Sequence, residues 1–83
     1  MPNVPESLEE AIAQVLNFRD ARNWSQYHRP EHLSRALSIE ASELEEEFLW
    51  KGPGEAEAHL ETDEGQEAVR DEIGDVLIYA FLF

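Results

Sequence analysis

The 83-residue chain contains no cysteine, so it forms no disulfide bond and offers no thiolate to a metal. That composition fits a reducing compartment, and we expect a cytoplasmic protein. The first ten residues, "MPNVPESLEE", lack the basic start and apolar stretch of a signal peptide. The longest apolar run, "VLIYAFLF", is too short to span a bilayer, so no membrane partner is expected.

Basic residues are also scarce. Six Lys and Arg stand against nineteen Asp and Glu, which gives a formal net charge of −13 at pH 7. This charge repels DNA, RNA and anionic lipid, so a polymeric nucleic acid is not expected as a partner. A small phosphate ester would be repelled as well, unless divalent cations are bound beside it.

Strand-like alternation of apolar and polar residues is missing, whereas helical periodicity recurs along the chain. Ser7 and Glu10 form a predicted capping box for a first helix. A second helix is predicted over residues 30–50, ended by "GPG", and a third from about residue 64 to the end, capped by Thr62 or Asp63. The stretch between them is predicted as a connector or a short helix. We therefore predict one all-α domain over residues 1–83, a helical bundle.

Carboxylates lie on or beside the predicted apolar stripes of the second and third helices. At about 100° per residue, Glu40 and Glu47 fall on the stripe of the second helix, with Glu43 on its flank. On the third helix, Glu72 and Asp75 share one edge of the stripe. Ionised carboxylates on a core face are costly unless a cation pairs with them, and Mg²⁺ prefers oxygen ligands. A metal site and a merely solvated acidic face both remain open on this evidence.

The arrangement Glu40-x-x-Glu43, followed on a later helix by Glu72-x-x-Asp75, resembles the MazG-like nucleoside triphosphate pyrophosphohydrolases. The segments "ARNWSQYHRPEHLSRALSIEASELEEEFLWKG" and "DEIGDVLIYAFLF" resemble the dCTP pyrophosphatase branch of that family. The resemblance extends over residues 15–83. It implies an all-α NTP pyrophosphatase fold in which subunits complete one another.

The resemblance also implies a function and a site. The expected reaction is Mg²⁺-dependent hydrolysis of a (deoxy)nucleoside triphosphate, dCTP-like or modified, to the monophosphate and pyrophosphate, with Mn²⁺ as a substitute metal. This would be a house-cleaning activity on the nucleotide pool. Glu43 and Glu47 are the candidates to orient or deprotonate the attacking water. The implied metal ligands are Glu40, Glu43, Glu72 and Asp75, and the candidates for substrate binding are Trp24, His28, Trp50, Lys51 and Tyr79. The other two histidines, His32 and His59, are expected to face solvent.

Members of the family assemble as dimers or dimers of dimers, so a homodimer or homotetramer is expected. They also continue beyond the point that corresponds to Phe83, and the resemblance therefore implies a domain lacking its C-terminal helical part. Within the enzyme interpretation, dUTP-type and broad specificities are alternatives to the dCTP type. The alternative from another class is a non-catalytic acidic α-helical module that dimerises or binds a partner helix and uses its glutamates for solubility.

Overall fold

A computed structural model describes residues 4–83. Over these residues the chain forms helices joined by short turns, with no strand, as the periodicity predicts. A 3₁₀ turn over Ser25–Tyr27 links the first two helices. The α-helices are α1 (Leu8–Ala21), α2 (Pro30–Glu46), α3 (Glu55–Glu61) and α4 (Asp63–Leu82).

Helix α1 begins where the capping residues predict. The Ser7 hydroxyl accepts a hydrogen bond from the Glu10 amide at 3.1 Å. In return the Glu10 carboxylate accepts from the Glu6 amide at 2.7 Å, one residue before the cap. Two amides at the start of the helix are thereby satisfied, and the predicted capping interaction is confirmed with this shift of one residue.

Helix α2 ends at Glu46, four residues before the predicted end at Trp50. Beyond Glu46 the backbone hydrogen bonds tighten to the i−3 pattern, with Phe48 donating to the Glu45 carbonyl at 3.0 Å. Trp50 then takes a left-handed conformation with φ of 66°, which no helix can continue. The Lys51 ammonium donates to the Glu47 carbonyl at 2.6 Å and so satisfies one of the open carbonyls at this end.

The predicted connector contains α3, and α4 follows it after a single residue. The Gly54 amide donates to the Glu57 carboxylate at 2.7 Å at the start of α3. Thr62 caps α4, as predicted, because its hydroxyl accepts from the Gly65 amide at 2.9 Å. Gly65 is buried where α4 passes the end of α3.

Helix α4 is the central element, since it packs most extensively on α2 and also contacts α1 and α3. Even so, Leu33 and Val69 are the buried hydrophobic residues in the described part of the chain, and each keeps a small exposed fraction. The radius of gyration is 15.2 Å, whereas a compact domain of this length has one of about 12 Å. No helix among residues 4–83 has the length and hydropathy needed to cross a membrane.

Candidate metal centre

Three carboxylates converge where α2 packs on α4. Glu40 and Glu43 lie one helical turn apart on α2, and Glu72 faces them from α4. One oxygen of each lies within 4.8 Å of an oxygen of the other two. We call Glu40, Glu43 and Glu72 the carboxylate cluster. Glu40 and Glu43 lie beside the apolar stripe of α2 that includes the buried Leu33. Because this stripe packs on α4, both carboxylates come close to Glu72.

The carboxylate cluster is electrostatically unfavourable without a cation. The Oε2 atoms of Glu40 and Glu72 are buried and have no hydrogen-bond partner. Burial, the close side-chain contact with Glu43 and the adjacent charges of Glu43, Asp75 and Glu72 raise the pKa of Glu40 above its usual 4.5. Burial and the charges of Glu43, Asp75 and Glu47 raise the pKa of Glu72 in the same way.

No ion pair within residues 4–83 neutralises the carboxylate cluster. The pairs present there are Arg19 with Asp20, Arg29 with Glu31, and His59 with Glu47. A hard divalent cation meets the requirement better than an organic cation, because it binds several oxygen atoms at once and retains water for the remaining positions. The buried, unpartnered oxygens and the convergence of three carboxylates therefore fit a magnesium-type ion.

Asp75 and Glu47 border the carboxylate cluster without belonging to it. Asp75 is exposed one turn beyond Glu72 on α4, and its charge contributes to the raised pKa of both Glu40 and Glu72. Glu47 follows the last residue of α2, and its charge contributes to the raised pKa of Glu72. Of the four predicted metal ligands the structure thus gathers three, with the fourth beside them, and the roles of all four remain predictions.

The predicted aromatic residues are spread over the α1–α2 connector, the α2–α3 turn and α4. Trp24 is 44% exposed and stands edge-on to Phe18, with ring centroids 5.7 Å apart. Trp50 is 91% exposed, and Tyr79 is half-buried on α4. Trp50 is therefore not a core residue of this chain.

The other two predicted substrate contacts, His28 and Lys51, differ in their hydrogen bonding. His28 is half-buried, and its Nδ1 atom is buried without a hydrogen-bond partner. Lys51 is half-buried, and its ammonium is engaged with the Glu47 carbonyl. Whether either residue contacts a substrate stays a prediction.

The prediction that His59 faces solvent is wrong. His59 is half-buried on α3, its Nε2 atom is inaccessible to water, and that atom lies 3.9 Å from the Glu47 carboxylate. The interpretation failed because α3, which packs on α4, brings His59 against Glu47 and Phe48 in the segment just after α2. A helix of seven residues gives too little periodicity to indicate this packing. His32, in contrast, is exposed as expected.

A second feature that sequence reasoning missed is an apolar groove of about 280 Å³ between α1 and α4. Val15 and Phe18 of α1 and Ile78 of α4 form its walls, together with Gln14. Ile78 belongs to the apolar run "VLIYAFLF", but periodicity does not tell which apolar faces remain uncovered in a single chain.

The fold and the site define the class of this protein: an all-α bundle that holds a carboxylate cluster between two packed helices. A sequence model described as the MazG-like family matches residues 36–83, which include the cluster. The match extends over more than half of the chain. The chain belongs to the MazG-like family.

Curated relatives agree with this assignment. The chain is 38% identical over 76 residues to dCTP pyrophosphatase 1 of Homo sapiens. It is 37% identical over 76 residues to the protein of the same name from Rattus norvegicus. Each match covers 90% of this chain and 45% of the relative, so the chain spans a little under half the length of these relatives.

A solved structure supports the fold. The crystal structure of a pyrophosphatase from Archaeoglobus fulgidus DSM 4304 matches with a TM-score of 0.79 and 37% sequence identity. The match covers 99% of this chain and 75% of the archaeal chain. The predicted all-α pyrophosphatase fold is thereby confirmed.

Proposed function

We propose that this chain carries the metal-binding part of a nucleoside triphosphate pyrophosphohydrolase. The substrate class is a (deoxy)nucleoside triphosphate, dCTP-like or modified, and the products are the nucleoside monophosphate and pyrophosphate. The carboxylate cluster between α2 and α4 is the observation that carries this proposal. Membership of the MazG-like family and the name of the curated relatives supply the substrate class.

Glu40, Glu43, Glu72 and Asp75 would hold Mg²⁺, with Mn²⁺ as a substitute of the same oxygen preference. When bound, the metal neutralises phosphate oxygens and lowers the pKa of a coordinated water. The convergence of the first three carboxylates and the two raised pKa values support this assignment. Without such a charge, the net −13 of the chain would repel a triphosphate.

Either Glu43 or Glu47 would orient or deprotonate the attacking water. Glu43 belongs to the carboxylate cluster, so a ligand role competes with a role as base. Glu47 lies at the border of the cluster, close enough for its charge to act on Glu72. A carboxylate beside the ligands, rather than among them, remains free to accept a proton from water. We therefore favour Glu47 as the base and Glu43 as a ligand.

Trp24, Trp50 and Tyr79 would form the base and sugar pocket, because an aromatic face stacks on a nucleobase without needing charge. The exposure of Trp50 supports its part in this pocket. A tryptophan that is 91% exposed with a φ of 66° combines an uncovered apolar surface with a strained backbone. Residues held in the left-handed region cluster at active sites and ligand-binding sites. His28 and Lys51 complete the proposed substrate contacts.

We also propose that the chain works as a homodimer or homotetramer. It exposes 6507 Å², whereas a compact protein of 9.5 kDa exposes about 5,000 Å². A standard interface covers about 800 Å² on each partner, so a second copy accounts for much of the excess. The groove walled by Val15, Phe18 and Ile78 and the exposed Leu77 supply an apolar face for it. Light scattering should give a molar mass of two or four times the 9.5 kDa of one chain. A monomeric mass at micromolar concentration would contradict this proposal.

The activity is tested by measuring pyrophosphate release from a panel of four standard dNTPs, dUTP and 5-substituted dCTP analogues. Each is incubated with the chain in Mg²⁺, in Mn²⁺ and in EDTA. We expect release that requires metal and is fastest for dCTP or its analogues. Phosphate release in place of pyrophosphate would contradict the reaction. If the folded protein released no pyrophosphate from any nucleotide, the non-catalytic acidic interaction module would be favoured.

A further inference from the structure

His59 is fixed in place by the corner between α3 and α4. Its carbonyl accepts hydrogen bonds from the Thr62 hydroxyl at 2.8 Å and from the Thr62 amide at 3.2 Å. Gly65 passes so close to this carbonyl that a Cβ atom there would overlap it. The backbone of His59 therefore has little freedom to move, and the position of its ring is set by the fold.

The imidazole of His59 lies between an aromatic ring and a carboxylate. The Phe48 ring meets it edge-to-face, with centroids 6.0 Å apart and planes at 87°. The Nε2 atom is inaccessible to water and has no hydrogen-bond partner, and the Glu47 Oε1 atom lies 3.9 Å away. A buried nitrogen without a partner is unfavourable. The gap exceeds a hydrogen bond by roughly 1 Å, so a small rotation of the Glu47 side chain closes it.

Glu47 is restrained from a second direction, and its charge acts on the carboxylate cluster. The Lys51 ammonium binds its carbonyl at 2.6 Å, which holds the backbone at the end of α2. The Glu47 side chain is 27% exposed, and its charge contributes to the raised pKa of Glu72. With the backbone held by Lys51, the remaining freedom of Glu47 is in its side chain, and His59 is the group placed to limit it.

We propose that His59 is a positioning residue for Glu47. Its Nε2–H group donates to Glu47 Oε1 and holds the carboxylate at the border of the carboxylate cluster, where the attacking water is activated. This proposal rests on the proposed function, because the role of Glu47 in hydrolysis is itself proposed. No predicted site residue lies on α3, so a positioning role for His59 would give this helix a part in shaping the site.

Two substitutions at His59 separate positioning from packing. Leu fills similar space beside Phe48 but donates nothing, whereas Gln carries an amide donor near the position of Nε2. We expect His59→Leu to lower kcat about tenfold with little change in KM, and His59→Gln to recover most of that loss. His32→Leu on the exposed side of α2 serves as the control and should leave kcat unchanged. Equal kcat in His59→Leu and the wild type would overturn the proposal.

A double-mutant cycle with Glu47→Met tests the contact itself. In the Glu47→Met background, His59→Leu should have no further effect on residual kcat. In urea unfolding, the cycle should show a coupling of about fivefold or more in the unfolding equilibrium constant. Additive effects on unfolding would overturn the proposal whether or not the chain turns over substrate. If the wild type releases no pyrophosphate, the proposed function fails, and the unfolding cycle still decides whether His59 and Glu47 interact.

Discussion

Glu43→Gln should lower kcat by about 100-fold or more, because it removes a charged oxygen ligand and keeps the shape of the side chain. Glu43 contributes one of the three converging carboxylates, and its neutral amide would bind a hard cation poorly. Asp75→Asn should act in the same direction. The measurement is pyrophosphate release at saturating Mg²⁺. Glu45→Gln is the matched control, since Glu45 is exposed on the same helix.

The same substitution should make the metal-free protein more stable at neutral pH. The charge of Glu43 helps to raise the pKa values of Glu40 and Glu72, so the two carboxylates are harder to ionise in the folded chain. A carboxyl whose pKa is raised on folding binds more protons in the folded state than in the unfolded state. Its contribution to stability is present below about 4.5 and is lost as the pH rises through the folded-state pKa.

In EDTA, the melting temperature of the wild type should therefore rise as the pH falls from 7 towards 4.5. Glu43→Gln should flatten this dependence, and Glu45→Gln should keep it. Differential scanning fluorimetry across this pH range measures the effect. If Glu43→Gln kept full turnover and the wild-type pH dependence, the assignment of the metal site would be wrong.

Gly65→Ala should destabilise the chain more than any single surface change, by about 3 kcal/mol. An added Cβ would overlap the His59 carbonyl and come within 2.8 Å of the Thr62 hydroxyl. These groups form the cap of α4, so relief of the overlap would disturb the corner between α3 and α4. In a chain with so few buried residues, a loss of this size is a large fraction of the total stability.

Gly74→Ala on the same helix provides the control. A Cβ at Gly74 meets nothing within 4 Å, so the change should stabilise α4 by about 0.5–1 kcal/mol through helix propensity. Urea unfolding of both variants, compared with the wild type, measures the difference. Equal stability of Gly65→Ala and Gly74→Ala would show that the close approach at Gly65 is not a constraint on the fold.

Much of the fold could be predicted because its signals are local. Each helix cap needs a hydroxyl that accepts a hydrogen bond from the amide three residues later, and Ser7 and Thr62 both provide one. The convergence of Glu40, Glu43 and Glu72 follows from helical period together with the apolar stripes that bury Leu33 and Val69. These stripes align α2 with α4, and the carboxylates beside the stripes come together as a consequence.

The features that sequence reasoning missed depend on contacts between segments. The early end of α2 results from i−3 hydrogen bonding and the left-handed Trp50, whereas helix propensity and "GPG" indicate a later stop. The approach of His59 to Glu47 requires the turn after α2 to bring the two residues together, and no residue near His59 in the sequence indicates that. Both features lie at the α2–α3 turn, where backbone strain and side-chain contacts decide the conformation.

The central claim is that the carboxylate cluster binds a divalent cation, and calorimetric titration with Mg²⁺ at pH 7 tests it most directly. The account predicts saturable binding that Glu43→Gln and Glu72→Gln abolish and that Glu45→Gln retains. Binding that is equally strong in all four proteins, or absent from the folded wild type, would contradict it.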